Sequence, residues 1–169
     1  MIKLSRMNES KNLGILYHFT PIKNLLKIIN SNKLIANDCD DLATGVSLTR
    51  NKNLNRGGCT WVRLSLDGTK LSNNHKIVPV NDQAEWEEQF HTDYDQRESE
   101  ERVLSNIDNV KKYLISVDIH IRAINDPKVM NRVNKSLNRS GLSNMEELIT
   151  FLDKNQINHG IYGKMSDRG

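Results

Sequence analysis

The segment from Leu13 to Lys33 constrains the fold of this chain more than any other stretch. Its first part, Leu13 to Phe19, is a short run of apolar and aromatic side chains, which predicts a buried strand. Thr20 and Pro21 follow at once and are typical of a helix start, because Thr caps helices and Pro fits the first helical position. Apolar residues then recur with helical spacing on one face, at Ile22, Leu25, Leu26, Ile28 and Ile29. A strand joined directly to an amphipathic helix requires packed layers of sheet and helix.

The remainder of the chain also alternates short strands with short helices. Further strands are predicted at 34–36, 46–49, 59–66, 77–80, 99–104, 113–121 and 157–162. Helices are predicted at 128–137 and 145–153, the second with a capping box of Ser143 and Glu146, whereas 37–44 is predicted as a polar loop and Asp67-Gly68 as a turn. We expect a single domain over residues 1–169. The expected class is α+β, with a mixed or antiparallel split sheet as its core and short helices on its flanks.

Composition narrows the classes of partner. The 24 basic and 21 acidic residues are interspersed and leave a net charge of +3, which permits a nucleic-acid partner without requiring one. Cys39 and Cys59 lack CxxC spacing, and no pair of histidines has the spacing of a zinc site, so we expect free thiols and no metal. No stretch resembles a signal peptide or a membrane span. A cytoplasmic protein without a membrane partner is therefore expected.

Three short polar motifs follow one another in the sequence and suggest chemistry. They are Leu16-Tyr17-His18-Phe19-Thr20, Gly45-Val46-Ser47-Leu48-Thr49-Arg50 and Glu98-Ser99-Glu100-Glu101-Arg102. Displacement of nicotinamide from NAD places positive charge on the ribose in the transition state, so such a site needs groups that hold the ribose and a carboxylate that stabilises this charge. The order of histidine, hydroxyl-rich strand and glutamate resembles the ADP-ribosyltransferase superfamily. The Tyr-His-Phe-Thr segment and its helix are similar to the opening motif of the diphtheria toxin-like branch.

The resemblance implies an ADP-ribosyltransferase fold, NAD as a substrate and a role for each motif. His18 would hydrogen-bond a ribose hydroxyl, and Tyr17 is a candidate for stacking on the nicotinamide. Further NAD-binding side chains would come from Thr20, Ser47, Thr49 and Arg50. The catalytic carboxylate would be Glu100 or Glu101. Because successive residues of a strand face opposite sides, only one of these two glutamates can face the cleft, and we favour Glu100.

The expected function is transfer of ADP-ribose from NAD to a macromolecular acceptor, either a protein or a nucleic acid, as in toxin-like phage and bacterial members of the superfamily. The alternative is a catalytically inactive module of the same fold that binds a nucleic acid or protein as a virion or host-takeover component. The basic, Asn-rich loop over 50–58 and the net charge favour this alternative. Transfer of a 2′-phosphate from RNA to NAD is a third option. Each motif alone also has a structural explanation: a buried histidine, an ordinary strand or a solvated acidic face.

Overall fold

A computed structural model describes residues 13–39, 42–53, 60–79 and 100–166. The strands are β1 (Ile15–Thr20), β2 (Lys33–Leu34), β3 (Asn37–Cys39), β4 (Leu42–Thr49), β5 (Val62–Asp67), β6 (Ile77–Pro79), β7 (Glu100–Val103), β8 (Ile107–Asp108), β9 (Leu114–His120) and β10 (His159–Tyr162). The helices are α1 (Ile22–Ser31), α2 (Gly68–Asn74), α3 (Ile121–Asn125), α4 (Pro127–Arg139) and α5 (Met145–Lys154), with a 3-10 turn at Val110–Lys112.

The sheet is mixed and draws its strands from both halves of the chain. Its order is β10-β9-β5-β1-β4-β7-β6, with β3 beside β4, and β2 pairs with β8 separately. The β9–β10 pair is parallel, whereas the pairs from β9 through β5, β1, β4 and β7 to β6 are antiparallel. The predicted α+β class with a mixed sheet and several helices is confirmed.

The two halves of the sheet meet at a seam between β1 and β4. On one side β1 pairs with β5 at six positions, from Ile15 opposite Asp67 to Thr20 opposite Val62. On the other side β1 and β4 register at one pair, Tyr17 opposite Thr49. We call this junction the seam. A ladder with one registered pair leaves neighbouring main-chain groups available to side chains.

One face of the sheet is apolar and packs into the core. Leu16 of β1, Leu64 of β5 and Val117 of β9 are fully buried. They share one hydrophobic cluster with apolar residues of the helices, namely Ile22, Leu25 and Ile29 of α1, Val129, Val133 and Leu137 of α4, and Leu148 and Leu152 of α5. The predicted amphipathic helices are therefore the layer that covers this face.

The start of α1 differs from the prediction. The helix begins at Ile22 with Pro21 as its N-cap, and no side chain caps it. Thr20 is instead the last residue of β1, opposite Val62. The predicted Thr20 cap is wrong because this pairing keeps Thr20 in the strand, and the first turn is closed by the main chain, where the Asn24 amide donates to the Pro21 carbonyl at 2.9 Å.

Two polar stretches that predict loop or turn are regular structure. The stretch 37–44 contains β3 and the first residues of β4. The predicted turn at Asp67-Gly68 is the N-terminus of α2, where the Asp67 carboxylate accepts from the Lys70 amide at 2.9 Å. Both errors have one cause, since Asn, Asp and Gly favour turns and helix caps alike, and pairing partners distant in sequence decide between them.

The predicted capping box of α5 is displaced by one residue. Asn144 is the N-cap, and its side-chain oxygen accepts from the Glu147 amide at 3.0 Å. The Glu147 carboxylate accepts in turn from the Ser143 amide at 2.7 Å. Two side-chain bonds thus cap the helix, with Glu147 in place of the predicted Glu146, and the return bond reaches Ser143, one residue before the N-cap of a standard capping box. The acidic stretch over 83–99 lies outside the described residues.

Candidate active site

His18 lies at the seam and uses its side chain to bridge the two strands. Its Nδ1 is 2.9 Å from the main-chain oxygen of Ser47 on β4. A carbonyl oxygen can only accept a hydrogen bond, so Nδ1 carries the proton, and in the neutral ring Nε2 is an acceptor. The contact fixes both the orientation and the tautomer of the ring. An acceptor held in this way suits the hydroxyl of a sugar.

Glu101 lies two strands away from His18, on β7, and is almost buried. The residue is 8% exposed. The Arg50 Nε donates to its Oε1 at 2.8 Å, and the Arg50 side chain is 47% exposed. A buried carboxylate requires a charged or hydrogen-bonding partner, and Arg50 supplies both from the end of β4. The result is an ion pair with one buried end and one end open to solvent.

The strand register puts His18 and Glu101 on the same face of the sheet. Since Tyr17 is opposite Thr49, the next residue of β1, His18, is level with Leu48. Leu48 is in turn opposite Glu101. Opposite residues of antiparallel strands face the same side, and neighbouring strands are roughly 4.8 Å apart, so the main chains at His18 and Glu101 are separated by roughly 10 Å. Leu48, which is buried, occupies the position between them on the same face.

These polar groups stand out because the same face is otherwise apolar. Thr20, also on this face, is 3% exposed, while Leu16 and Leu48 beside the site are buried. Buried polar side chains on an apolar face are the informative exception, and apolar walls with a few convergent polar groups are typical of ligand sites. The candidate active site therefore consists of His18, Thr20, Arg50 and Glu101.

The register reverses the predicted choice between the two glutamates. Glu100 is opposite Thr49, and Thr49 is opposite Tyr17, so all three positions belong to the face away from His18. The preference for Glu100 is corrected to Glu101. Alternation shows that the two residues face opposite sides, but only the pairing of β7 with β4 shows which of them shares the face of His18.

Three other predicted NAD-binding residues, Tyr17, Ser47 and Thr49, also belong to the face away from His18, which we call the far face. The Arg63 guanidinium carbon lies over the Tyr17 ring at 5.2 Å, on the side of β1 away from His18. The Thr49 hydroxyl accepts from the Asn51 amide at 3.0 Å. Ser47 contributes to the site through its carbonyl oxygen, which holds His18. The Tyr17, Ser47 and Thr49 side chains therefore do not share the face of His18 as expected, and their contacts with NAD stay a prediction.

Sequence reasoning missed a second polar cluster, which occupies the far face. The Arg63 guanidinium pairs with Asp118 at 2.8 Å, and Asp118 also accepts from Ser65 at 3.5 Å and Ser116 at 3.3 Å. Arg63 Nη1 donates to the Lys52 carbonyl at 2.7 Å. Arg63 thus ties the segment after Arg50 to the sheet. The sequence signals this cluster only by an arginine within the alternating strand β5. The partner of that arginine, Asp118, lies on β9, a strand distant in sequence.

The described residues contain no group of three or more His, Cys, Asp or Glu side chains that could hold a metal ion. None of the described helices has both the length and the apolar character needed to cross a bilayer. Comparison with models of protein families, with curated proteins and with solved structures finds no match for this chain. Function is therefore inferred from the side chains at the seam, because a fold alone does not determine chemistry.

Proposed function

We propose that this chain transfers ADP-ribose from NAD to a macromolecular acceptor. The observation that carries the proposal is the common face of His18 and Glu101 across the seam, with Glu101 buried beside Arg50. This arrangement combines a fixed acceptor for a sugar hydroxyl with a carboxylate in a low-dielectric setting. Those are the two groups that cleavage of a ribosyl–nicotinamide bond requires.

In the proposed reaction, the bond between the ribose C1′ and the nicotinamide nitrogen breaks, and its electron pair leaves with nicotinamide. The acceptor X–H attacks C1′, which forms the new C1′–X bond and releases one proton. His18 Nε2 accepts from a ribose hydroxyl and orients the ring. The Glu101 carboxylate stabilises the positive charge that develops on the ribose. The half-exposed guanidinium of Arg50 would contact the diphosphate.

The deciding experiment compares the parent with Glu101→Gln and Glu100→Gln. Each purified protein is incubated with NAD labelled in the adenylate moiety and a bacterial lysate. Glu101→Gln keeps the size of the side chain and removes its charge, so labelling of macromolecules should fall by about 10² or more. Glu100→Gln, the neighbouring residue on the other face, is the matched control and should label as the parent does. Melting temperatures of the three proteins verify that each is folded.

Two outcomes would contradict the proposal. Equal labelling by parent and Glu101→Gln would show that this carboxylate takes no part in the reaction. Absence of both labelling and NAD binding by calorimetry would favour the alternative, an inactive module that binds a macromolecular partner.

A further inference from the structure

Two packed helices present a surface rich in cations, and the Asp126 carboxylate lies at its edge as the N-cap of α4. Helix α1 and helix α4 contain no Asp or Glu. We call their exposed cations the basic surface, and they are Lys23, Lys27, Lys128, Arg132, Lys135 and Arg139. Within the described part of the chain, none of these six forms an ion pair. The whole protein has a net charge of +3, so this one surface exceeds it.

The four cations of α4 form a regular row. Residues 128, 132, 135 and 139 fall within about 60° of one another at about 100° per residue, and the row is about 16 Å long. The buried residues Val129, Val133 and Leu137 occupy the adjoining face of the helix. Like charges three and four residues apart destabilise a helix. A row of four is therefore unfavourable for the isolated helix, and an anion along the row would relieve the repulsion.

A cavity of about 290 Å³ opens within the basic surface, between the start of α1 and α4. Its lining includes Pro21, Lys23, Trp61, Arg132, Lys135 and Arg139. Its cations come from both helices. Pro21 and Lys23 follow His18 by three and five residues, so this edge of the cavity lies within roughly 15 Å of His18. Charge, concavity and proximity to His18 therefore coincide.

We propose that the basic surface binds the sugar–phosphate backbone of a nucleic acid and that this strand is the acceptor. The second half of this statement rests on the proposed function. Each strand of a duplex carries one phosphate per roughly 3.4 Å of helix axis, and a single strand carries one at every nucleotide, so negative charge recurs along the whole row of cations on α4. A natural acidic polypeptide interrupts its carboxylates with neutral side chains, whereas a nucleic acid carries one charge at every nucleotide. The contacts involve phosphates, so binding is independent of base sequence.

The test measures binding of a short fluorescent single-stranded DNA by anisotropy at several salt concentrations, with the duplex and the RNA of the same sequence as parallel arms. The variant Arg132→Gln/Lys135→Gln/Arg139→Gln removes three cations of the row. Each phosphate contact contributes roughly 0.7 to 0.9 to the slope of log K against log salt. The variant should therefore lower that slope by about 2 to 3 and weaken binding at low salt by more than about tenfold.

The matched control is Lys70→Gln/Lys76→Gln/Lys154→Gln, which removes the same net charge elsewhere on the surface. It should bind DNA like the parent. Equal weakening by both triple variants would overturn the inference, since net charge alone would then explain binding. Polyglutamate that binds the parent as tightly as DNA would also overturn it, in favour of an acidic protein partner.

Glu101→Gln separates this inference from the proposed function, because it should bind the oligonucleotide with the affinity of the parent. If NAD consumption depends on Glu101 but no oligonucleotide binds, the basic surface is wrongly assigned and the enzyme proposal stands. If the oligonucleotide binds and NAD is not consumed, the surface is supported and its strand is not an acceptor.

Discussion

The two faces of β1 carry ion pairs of opposite character. On the far face, the Arg63 and Asp118 side chains are 13% and 12% exposed, and the pair is enclosed by Tyr17 and Tyr162, whose ring centroids lie 5.2 and 4.6 Å from the guanidinium carbon. On the face of His18, the Arg50 side chain is 47% exposed while Glu101 is buried. A ligand could reach Arg63 or Asp118 only if the packing around this pair were disturbed. The open pair can exchange partners, which a binding site requires.

This comparison predicts that the far face determines stability and the His18 face determines activity. The largest effect is expected for Asp118→Ala, which leaves the Arg63 guanidinium buried without its carboxylate. Removal of one member of a buried ion pair costs about 3 to 5 kcal/mol. Urea unfolding followed by circular dichroism measures this loss directly.

The control for Asp118→Ala is Asp108→Ala. The Asp108 carboxylate pairs with Lys33 at 2.9 Å, but the two side chains are 62% and 39% exposed. Exposed pairs contribute about 0 to 1 kcal/mol. Equal losses in the two variants would show that the Arg63 pair behaves as a surface pair.

The next largest effect is expected on activity, from His18→Ala. Loss of the fixed Nε2 acceptor removes a contact to the ribose in both the ground state and the transition state, so KM for NAD should rise and kcat/KM should fall by about 10- to 100-fold. His75→Ala is the control, since His75 contacts Ser105 at 3.4 Å outside the site. Steady-state NAD consumption distinguishes them. If His18→Ala changes the stability but not the KM for NAD, His18 only joins β1 to β4 and does not bind the ribose.

Much of the fold follows from local patterns, whereas the site depends on register. The apolar spacing from Ile22 to Ile29 predicts α1 correctly, and the branched run over 113–121 predicts β9. Which of Glu100 and Glu101 lies beside His18 depends on how β7 pairs with β4, and no local pattern contains that information. Arg63 and Asp118 are 55 positions apart, so their pairing is equally invisible in the sequence.

A smaller effect, again on stability, is expected for Gly160→Ala on β10. Gly160 is level with Asp118 in the parallel β9–β10 pair, and a Cβ at this position would lie 2.8 Å from the Asp118 Oδ1. The enclosed carboxylate has little freedom to move because Arg63, Ser65 and Ser116 hold it. Overpacking of this kind costs about 1 to 3 kcal/mol. The control is Ile161→Ala, the neighbouring exposed residue of β10. A second glycine, Gly141, cannot serve because its φ of +86° would strain an alanine.

If Gly160→Ala unfolds at the same urea concentration as the parent, the Asp118 carboxylate can move without a loss of stability. The cluster on the far face is then not tightly packed. A loss confined to Gly160→Ala and absent in Ile161→Ala supports a tightly packed cluster. NAD consumption should be less sensitive than stability in both variants, because β10 lies on the far side of β9 and β5 from the seam.

The smallest effect concerns the ion pair of Arg122 and Asp126, which has intermediate exposure. Arg122 and Asp126 pair at 2.8 Å, with side chains 19% and 20% exposed, and Asp126 caps α4 by accepting from the Lys128 amide at 3.0 Å. The hydrogen bond from Arg122 lowers the pKa of Asp126 below its ordinary value, desolvation opposes this shift, and the amides of Val129 and Lys128 reinforce it. A lowered pKa in the folded state means that the ionised carboxylate stabilises the fold.

That contribution is complete above about pH 3.9, the pKa of an aspartate in an unfolded chain, and is lost as the pH falls through the lowered folded value. Asp126→Asn keeps an N-cap acceptor and cannot ionise. The free energy of unfolding of the parent should therefore exceed that of Asp126→Asn at neutral pH, and the difference should shrink as the solution is acidified. A difference that is constant with pH would show that Asp126 acts by its shape and hydrogen bonds alone. The charge of the half-enclosed Arg122–Asp126 pair would then add nothing to the stability of the fold.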